Sequence, residues 1–172
     1  MVSVKALHKS KENSQAKVEK ILLIIIAAFS FLLYSNTIPN EYNLDDGLVT
    51  NNHPLTSKGV SAIPEIFSSP YYQDAAGNQY DYRPVTLTTF AIEHQFFGDN
   101  VHVSHFINTI IYMLLCVILF LTLSILFKNY NYLLPLTITL LFIAHPIHTE
   151  AVAGIKNRDE LLCFLEKFSI NF

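Results

Sequence analysis

Three apolar runs divide the chain. The first, "ILLIIIAAFSFLLYSNTI" from Ile21 to Ile38, holds eighteen residues without a charge. That is close to the ~20 residues a helix needs to cross a ~30 Å hydrocarbon layer at about 1.5 Å per residue. The second, "VSHFINTIIYMLLCVILFLTLSILF" over 103–127, is longer and has His105 as its one ionisable group, near its start. The third begins with "LLPLTITLLFIA" at Leu133. Its Pro135 is tolerable in a first helical turn, where the missing amide has no helical acceptor. The pattern predicts an all-α membrane protein with transmembrane helices over 21–38, 103–127 and 133–152, the last including a polar motif at its end. "KNYNY" (128–132) is short enough to turn the third helix back antiparallel to the second.

The polar segments orient these spans. Residues 1–20 carry five lysines, whereas the loop 39–102 has two basic residues against eight carboxylates. The positive-inside bias places the tail in the cytoplasm and the long loop on the exoplasmic side. The chain is then multi-pass, in the inner membrane of a bacterium or the endoplasmic reticulum membrane of a eukaryote. A cleavable signal peptide fits less well, because the basic region and the apolar run are both long and no small-x-small site follows. Within the loop, "SKGVSAIPEIF" and "RPVTLTTFAIEHQFFG" read as short amphipathic helices. The second has proline near its start and Gly98 after its end. Val85, Leu87, Phe90, Ala91, Phe96 and Phe97 give it an apolar side suited to lying flat on a membrane surface. "SSPYYQDAAGNQYDY" reads as turns.

Composition agrees with a membrane setting: 51% of residues are hydrophobic and 15% charged. A net charge of -3 excludes a nucleic-acid partner, since eleven scattered Lys and Arg make no basic face. Cys116 and Cys163 lie in apolar surroundings with no metal-ligand spacing and read as small hydrophobes.

Candidate chemistry falls in a few polar clusters. "YNLDDG" sets Asp45 beside Asp46, and such a pair repels unless a cation, an arginine or a proton compensates. A hard divalent cation would answer that need, and an ordinary solvated turn is the plainer alternative. "HPIHTEAVAGIKNRDELL" (145–162) places two histidines and several charges just after an apolar run. Pro146 disfavours helix at His145, so the i, i+3 geometry that would let His145 and His148 share zinc is weakened. A helix interrupted near the membrane surface, with freed polar groups lining a cavity, fits better, and Glu150 at that edge becomes a functional candidate. Asn157 and Glu160 read as a capping box for a fourth helix. Arg158 in its first turn opposes the helix dipole unless it meets an anion. His105 and Asn108 share a helical face and either pack or function. Arg83, the loop's single arginine, reads as an ion-pair partner for nearby carboxylates.

Taken together, "YNLDDG", "YRPVTLTTFAIEHQFFG", "HFIN" and above all "HPIHTEAVAGIKNRDELL" resemble the transmembrane and tetratricopeptide repeat-containing proteins. These are similar to protein O-mannosyltransferases of the C-type glycosyltransferase superfamily. The resemblance covers about residues 20 to 165. It implies the N-terminal part of a C-type fold in a membrane enzyme that moves a sugar, of mannose type, from a polyprenyl-phosphate carrier to an acceptor hydroxyl on a protein or glycan, with inversion. It further implies Asp45 as general base with Asp46 its partner, and Arg83, His145, His148 and Arg158 at the carrier phosphate. A divalent cation (Mg or Mn) would be held by Asp46 and Glu150. Membrane lipid, the donor and the acceptor are the expected partners.

The apolar residues after Leu161 are too few to cross a bilayer before "EKFSINF". The expectation is a truncated fourth helix over 153–172 in a fragment that is inactive alone. The competing reading is a non-catalytic small multi-pass membrane protein, or a subunit that binds a partner.

Overall fold

The computed structural model describes residues 2–43, 45–74 and 76–169. The chain is mostly helical, and its helices build two cores joined at one end. Helix α1 (Val2–Tyr34) continues the first apolar run upstream through the lysine-rich segment as one helix. Ile26, Ser30 and Tyr34, spaced four apart, are buried along one seam, while Ile24 and Leu32 point outward. Helix α4 (Val101–Leu126) is capped by the Asn100 side chain, which accepts from the amides of His102 and Val103. At 26 residues it rises roughly 39 Å. Among the described residues it is the one helix long and apolar enough to cross a membrane.

The buried seam of α4 changes character along its length. Ser104, His105, Asn108 and Thr109 come first, and Tyr112, Leu115, Cys116, Leu119 and Phe120 follow. The apolar half packs with Ile26 and Tyr34 of α1, Ile143 of α5 and Val152 into the bundle core. Helix α5 (Leu133–Ile143) is shorter than the expected third span, rising roughly 16 Å over its 11 residues. The helix stops before "AHPI", where Pro146 has no amide to donate. Helix α6 (His148–Ala153) then restarts the chain, and α7 (Arg158–Ser169) follows a single 3-10 turn.

The loop between α1 and α4 forms the second core. Helix α3 (Pro84–Phe97) matches the expected element, with proline in its first turn and Gly98 at a φ of 63° after its end. The other expected amphipathic helix is broken. Thr56–Ala62 is a 3-10 stretch bent at Gly59 (φ 68°, ψ -153°), and only α2 (Ile63–Ile66) is α-helical. The stretch read as turns contains a small antiparallel hairpin, β1 (Tyr72–Gln73) with β2 (Gln79–Tyr80), pairing Tyr72 with Tyr80. Val49, Ile66, Tyr71, Leu87 and Phe90 pack together with Ile155. Ile155 comes from the segment after α6, so the C-terminal motif is built into the core of the loop.

Candidate functional site

The polar half of the α4 seam lies where the two cores meet. Arg158, the first residue of α7, is wholly buried there, at 0% exposure. Its Nε donates to Asn108 Oδ1 at 2.7 Å, Nη1 to Thr89 Oγ1 at 3.2 Å and Nη2 to the Ser104 carbonyl at 3.2 Å. Glu93 Oε2 lies 2.9 Å from Nη1, and the guanidinium stacks over the Phe90 ring at 4.1 Å. A second oxygen of Glu93 accepts from the Ser104 hydroxyl. Asn108 also donates from Nδ2 to the carbonyl of Gly154. One cation thus ties α3, α4 and α7 together. A buried charge of this kind is tolerated because it is paired and hydrogen-bonded.

The donors of the Arg158 guanidinium, expected at a phosphate, are thus directed to protein acceptors. Arg83 is also engaged. It pairs with Asp159 and, at 2.9 Å, with Asp81, and lies 5.1 Å from the centre of the Tyr71 ring. Burial raises the Asp159 pKa from its ordinary value, and the charge of Arg83 partly opposes that rise. Asn157, read as the cap of the fourth helix, donates from Nδ2 to the Glu150 carbonyl at 3.3 Å.

The two aspartates divide their tasks. Asp46 is 2% exposed, and its oxygens accept from the backbone amides of Asn43 and Lys156, each at 2.9 Å. Asp45 has a side chain 65% exposed, and its Oδ2 accepts from Lys156 Nζ at 3.2 Å. The ammonium also sits 4.6 Å from the centre of the Tyr72 ring. The Tyr71 hydroxyl donates to the Lys156 carbonyl at 2.7 Å, so the backbone of Lys156 is held on both sides. Before it, the chain turns tightly at Gly154. A Cβ there would lie 2.9 Å from the Glu150 carbonyl oxygen, a contact that only glycine avoids.

Asp45, Asp46, Glu150 and Lys156 line one open cleft of about 820 Å³, together with Glu41, Tyr42 and His105. The histidines of the motif are elsewhere. His145 is exposed and accepts the Ile147 amide at Nδ1, and His148 packs on Phe142 with ring centroids 4.1 Å apart. Their rings are 6.1 Å apart, and neither lines the cleft of the aspartates.

Among the described residues no three His, Cys, Asp or Glu side chains converge on a common point. Both oxygens of Asp46 already accept amides, and a hard divalent cation wants six or more oxygen ligands. The residues present therefore do not fit a divalent cation held by Asp46 and Glu150.

Lys156 and Glu93 escaped the sequence reading. Lys156 sits in a charged stretch, and no spacing rule marks a single lysine there. Glu93 carried a usable signal: it is seven residues after Thr86 and three after Phe90, on the face of α3 that is otherwise buried. A carboxylate there requires a buried partner.

No family model matches the chain. No solved structure matches it either. Curated relatives do: protein O-mannosyl-transferase TMTC1 of Homo sapiens is 33% identical over 146 residues, which is 82% of this chain and 16% of that protein. A protein O-mannosyl-transferase of Caenorhabditis elegans is 28% identical over 88% of this chain and 22% of its own length. TMTC4 of Mus musculus is 27% identical over 83% of this chain and 21% of its own length. The 33% identity over 82% of the chain shows that it belongs to the family of the protein O-mannosyl-transferases. Within that class the chain is related to the TMTC proteins, as its motifs imply. It spans about a fifth or less of the length of the relatives named here.

Proposed function

We propose that this chain holds the acceptor-activating part of an O-mannosyl-transferase that works at the exoplasmic face of a membrane. The observation that carries the reading is the cleft where Asp45 and Asp46 meet the segment after α6. In this reading α1, α4 and α5 cross the membrane as the start of a C-type fold, with the N-terminus cytoplasmic. The donor is a mannose on a polyprenyl phosphate.

The acceptor oxygen of a serine or threonine attacks the anomeric carbon from the side opposite the phosphate. The new carbon–oxygen bond forms as the bond from that carbon to the phosphate oxygen breaks, and the polyprenyl phosphate leaves with the bonding pair. The hydroxyl proton passes to the Asp45 carboxylate, which faces the cleft. Asp46 orients the loop that carries Asp45 by holding the amides of Asn43 and Lys156.

The test is mannose transfer from dolichyl-phosphate mannose to a serine- and threonine-containing peptide by membranes bearing this chain joined to the remaining length of a TMTC relative. Asp45→Asn is expected to lower transfer by at least about a hundredfold, the scale of general-base removal, with membrane insertion unchanged. Transfer at the wild-type rate removes Asp45 as the base. No transfer by the joined protein with Asp45 intact overturns the catalytic reading.

A further inference from the structure

Both arginines that a phosphate would seek are taken up by protein carboxylates, Arg158 by Glu93 and Arg83 by Asp81 and Asp159. Among the described residues that line the aspartate cleft, Lys156 is the one lysine or arginine. Glu41, Asp45, Asp46 and Glu150 line the same cleft, so its charge is otherwise negative. A phosphate entering there has a single ammonium to meet.

Lys156 is built for movement at one end only. Its amide is bound by Asp46 and its carbonyl by the Tyr71 hydroxyl, which fix the root of the side chain. The ammonium is held by Asp45, whose carboxylate is mostly exposed, and by the face of Tyr72. Exposed ion pairs are held by little free energy and exchange partners readily. A lysine ammonium is a compact charge on a flexible stem with three donors to redistribute.

We propose that Lys156 is a two-position cation. At rest it is hydrogen-bonded to Asp45 and occupies a lone pair on Oδ2 where an acceptor proton would arrive. When an isoprenyl phosphate enters the cleft, the ammonium turns to the phosphate and frees Asp45. This inference rests on the reading of Asp45 as base and adds the donor contact that neither arginine can make. It also orders the events, since Asp45 becomes available only once a phosphate is present, which guards the base against futile contact with water. After the bond to the sugar breaks, the same ammonium faces the extra negative charge on the departing phosphate.

The test is equilibrium binding of farnesyl phosphate, a short isoprenyl monophosphate, to the full chain in phosphatidylcholine nanodiscs, with EDTA present. Lys156→Met keeps the stem and removes the charge. It is expected to weaken binding by about tenfold or more, the scale of one charge-assisted hydrogen bond. Lys156→Arg is expected to stay within about threefold of wild type, since it keeps the charge. Asp45→Asn removes the resting partner and a repelling carboxylate, so it should tighten binding several-fold. Circular dichroism of each variant confirms that its helices are intact.

Binding indifferent to Lys156→Met overturns the proposal, as does binding that appears only with magnesium or that weakens in Asp45→Asn. These outcomes separate the two readings because binding needs no turnover. Loss of transfer in Asp45→Asn with phosphate binding independent of Lys156 keeps the base and removes the switch. Phosphate binding that depends on Lys156, with transfer intact in Asp45→Asn, does the reverse.

Discussion

The carboxylate of Asp46 accepts the backbone amide of Lys156 at 2.9 Å, across 110 positions of the chain. That single bond joins the loop after the first apolar run to the motif after the third. It gives the two adjacent aspartates different fates, one structural and one facing the cleft.

Asp46→Asn is therefore expected to destabilise the protein by about 1–3 kcal/mol, because its amide group would turn a donor toward a buried donor. Asp45→Asn alters an exposed side chain and should stay within about 0.5 kcal/mol of wild type. Thermal unfolding in detergent checks the contrast. Equal losses would show that the aspartates do not divide their roles in this way.

Arg158→Met leaves Glu93 buried without its cation and should cost about 3–5 kcal/mol. The double variant with Glu93→Gln removes both charges and should recover more than half of that loss. Chemical unfolding of the two variants decides it. A double variant no more stable than the single would mean that the hydrogen bonds to Asn108, Thr89 and Ser104 dominate over the ion pair.

Helix α3 buries Leu87, Phe90 and Ala91 but exposes Val85, Phe96 and Phe97, with Phe96 at 73%. An outward apolar face that ends four positions before α4 begins suits the membrane interface. The chain has no tryptophan, so Phe96→Trp introduces a unique reporter. Its emission in vesicles should be blue-shifted and quenched by lipid-attached bromine. Emission at the position of free tryptophan in water would place this face in solvent.

The hairpin should carry its own pH dependence. Asp74 accepts from the amides of Ala76 and Asn78, from Asn78 Nδ2 and from the Tyr80 hydroxyl, all at 2.8–2.9 Å. The bonds from Asn78 lead in lowering its pKa below the ordinary 3.8. A carboxylate whose pKa is depressed on folding stabilises the fold above its unfolded value, and that support is lost as pH falls through the folded one. The protection of the Asn78 amide, its exchange measured against the intrinsic rate at each pH, should therefore fall as the solution is acidified below 3.8. Asp74→Asn should remove the dependence; an unchanged profile in that variant would assign it to another group.

Legibility differed by element. The helices at Val101–Leu126 and Pro84–Phe97 were readable because their signals are local: a long uncharged run in one, proline and glycine at the two ends of the other. The loop helix expected over "SKGVSAIPEIF" was misread because Gly59 takes a backbone conformation that an apolar pattern does not encode. At the site, the aspartate pair was visible as a pair, but nothing in "LDDG" says which member is buried. The arginines were visible as charges, and Asp81 lies two positions from Arg83, but Asp159 and Glu93 lie 76 and 65 positions from Arg83 and Arg158.

By itself the sequence determined where apolar helices form, which segments stay polar and which proteins the chain is related to. Those properties follow from neighbours within a few residues or from motifs read in order. Only the tertiary structure decided that Arg158 is enclosed, that Asp46 is a brace and that Lys156 stands over Asp45. Burial and pairing are set by side chains brought together from distant segments, and a charge means a support or a reactive group according to that company.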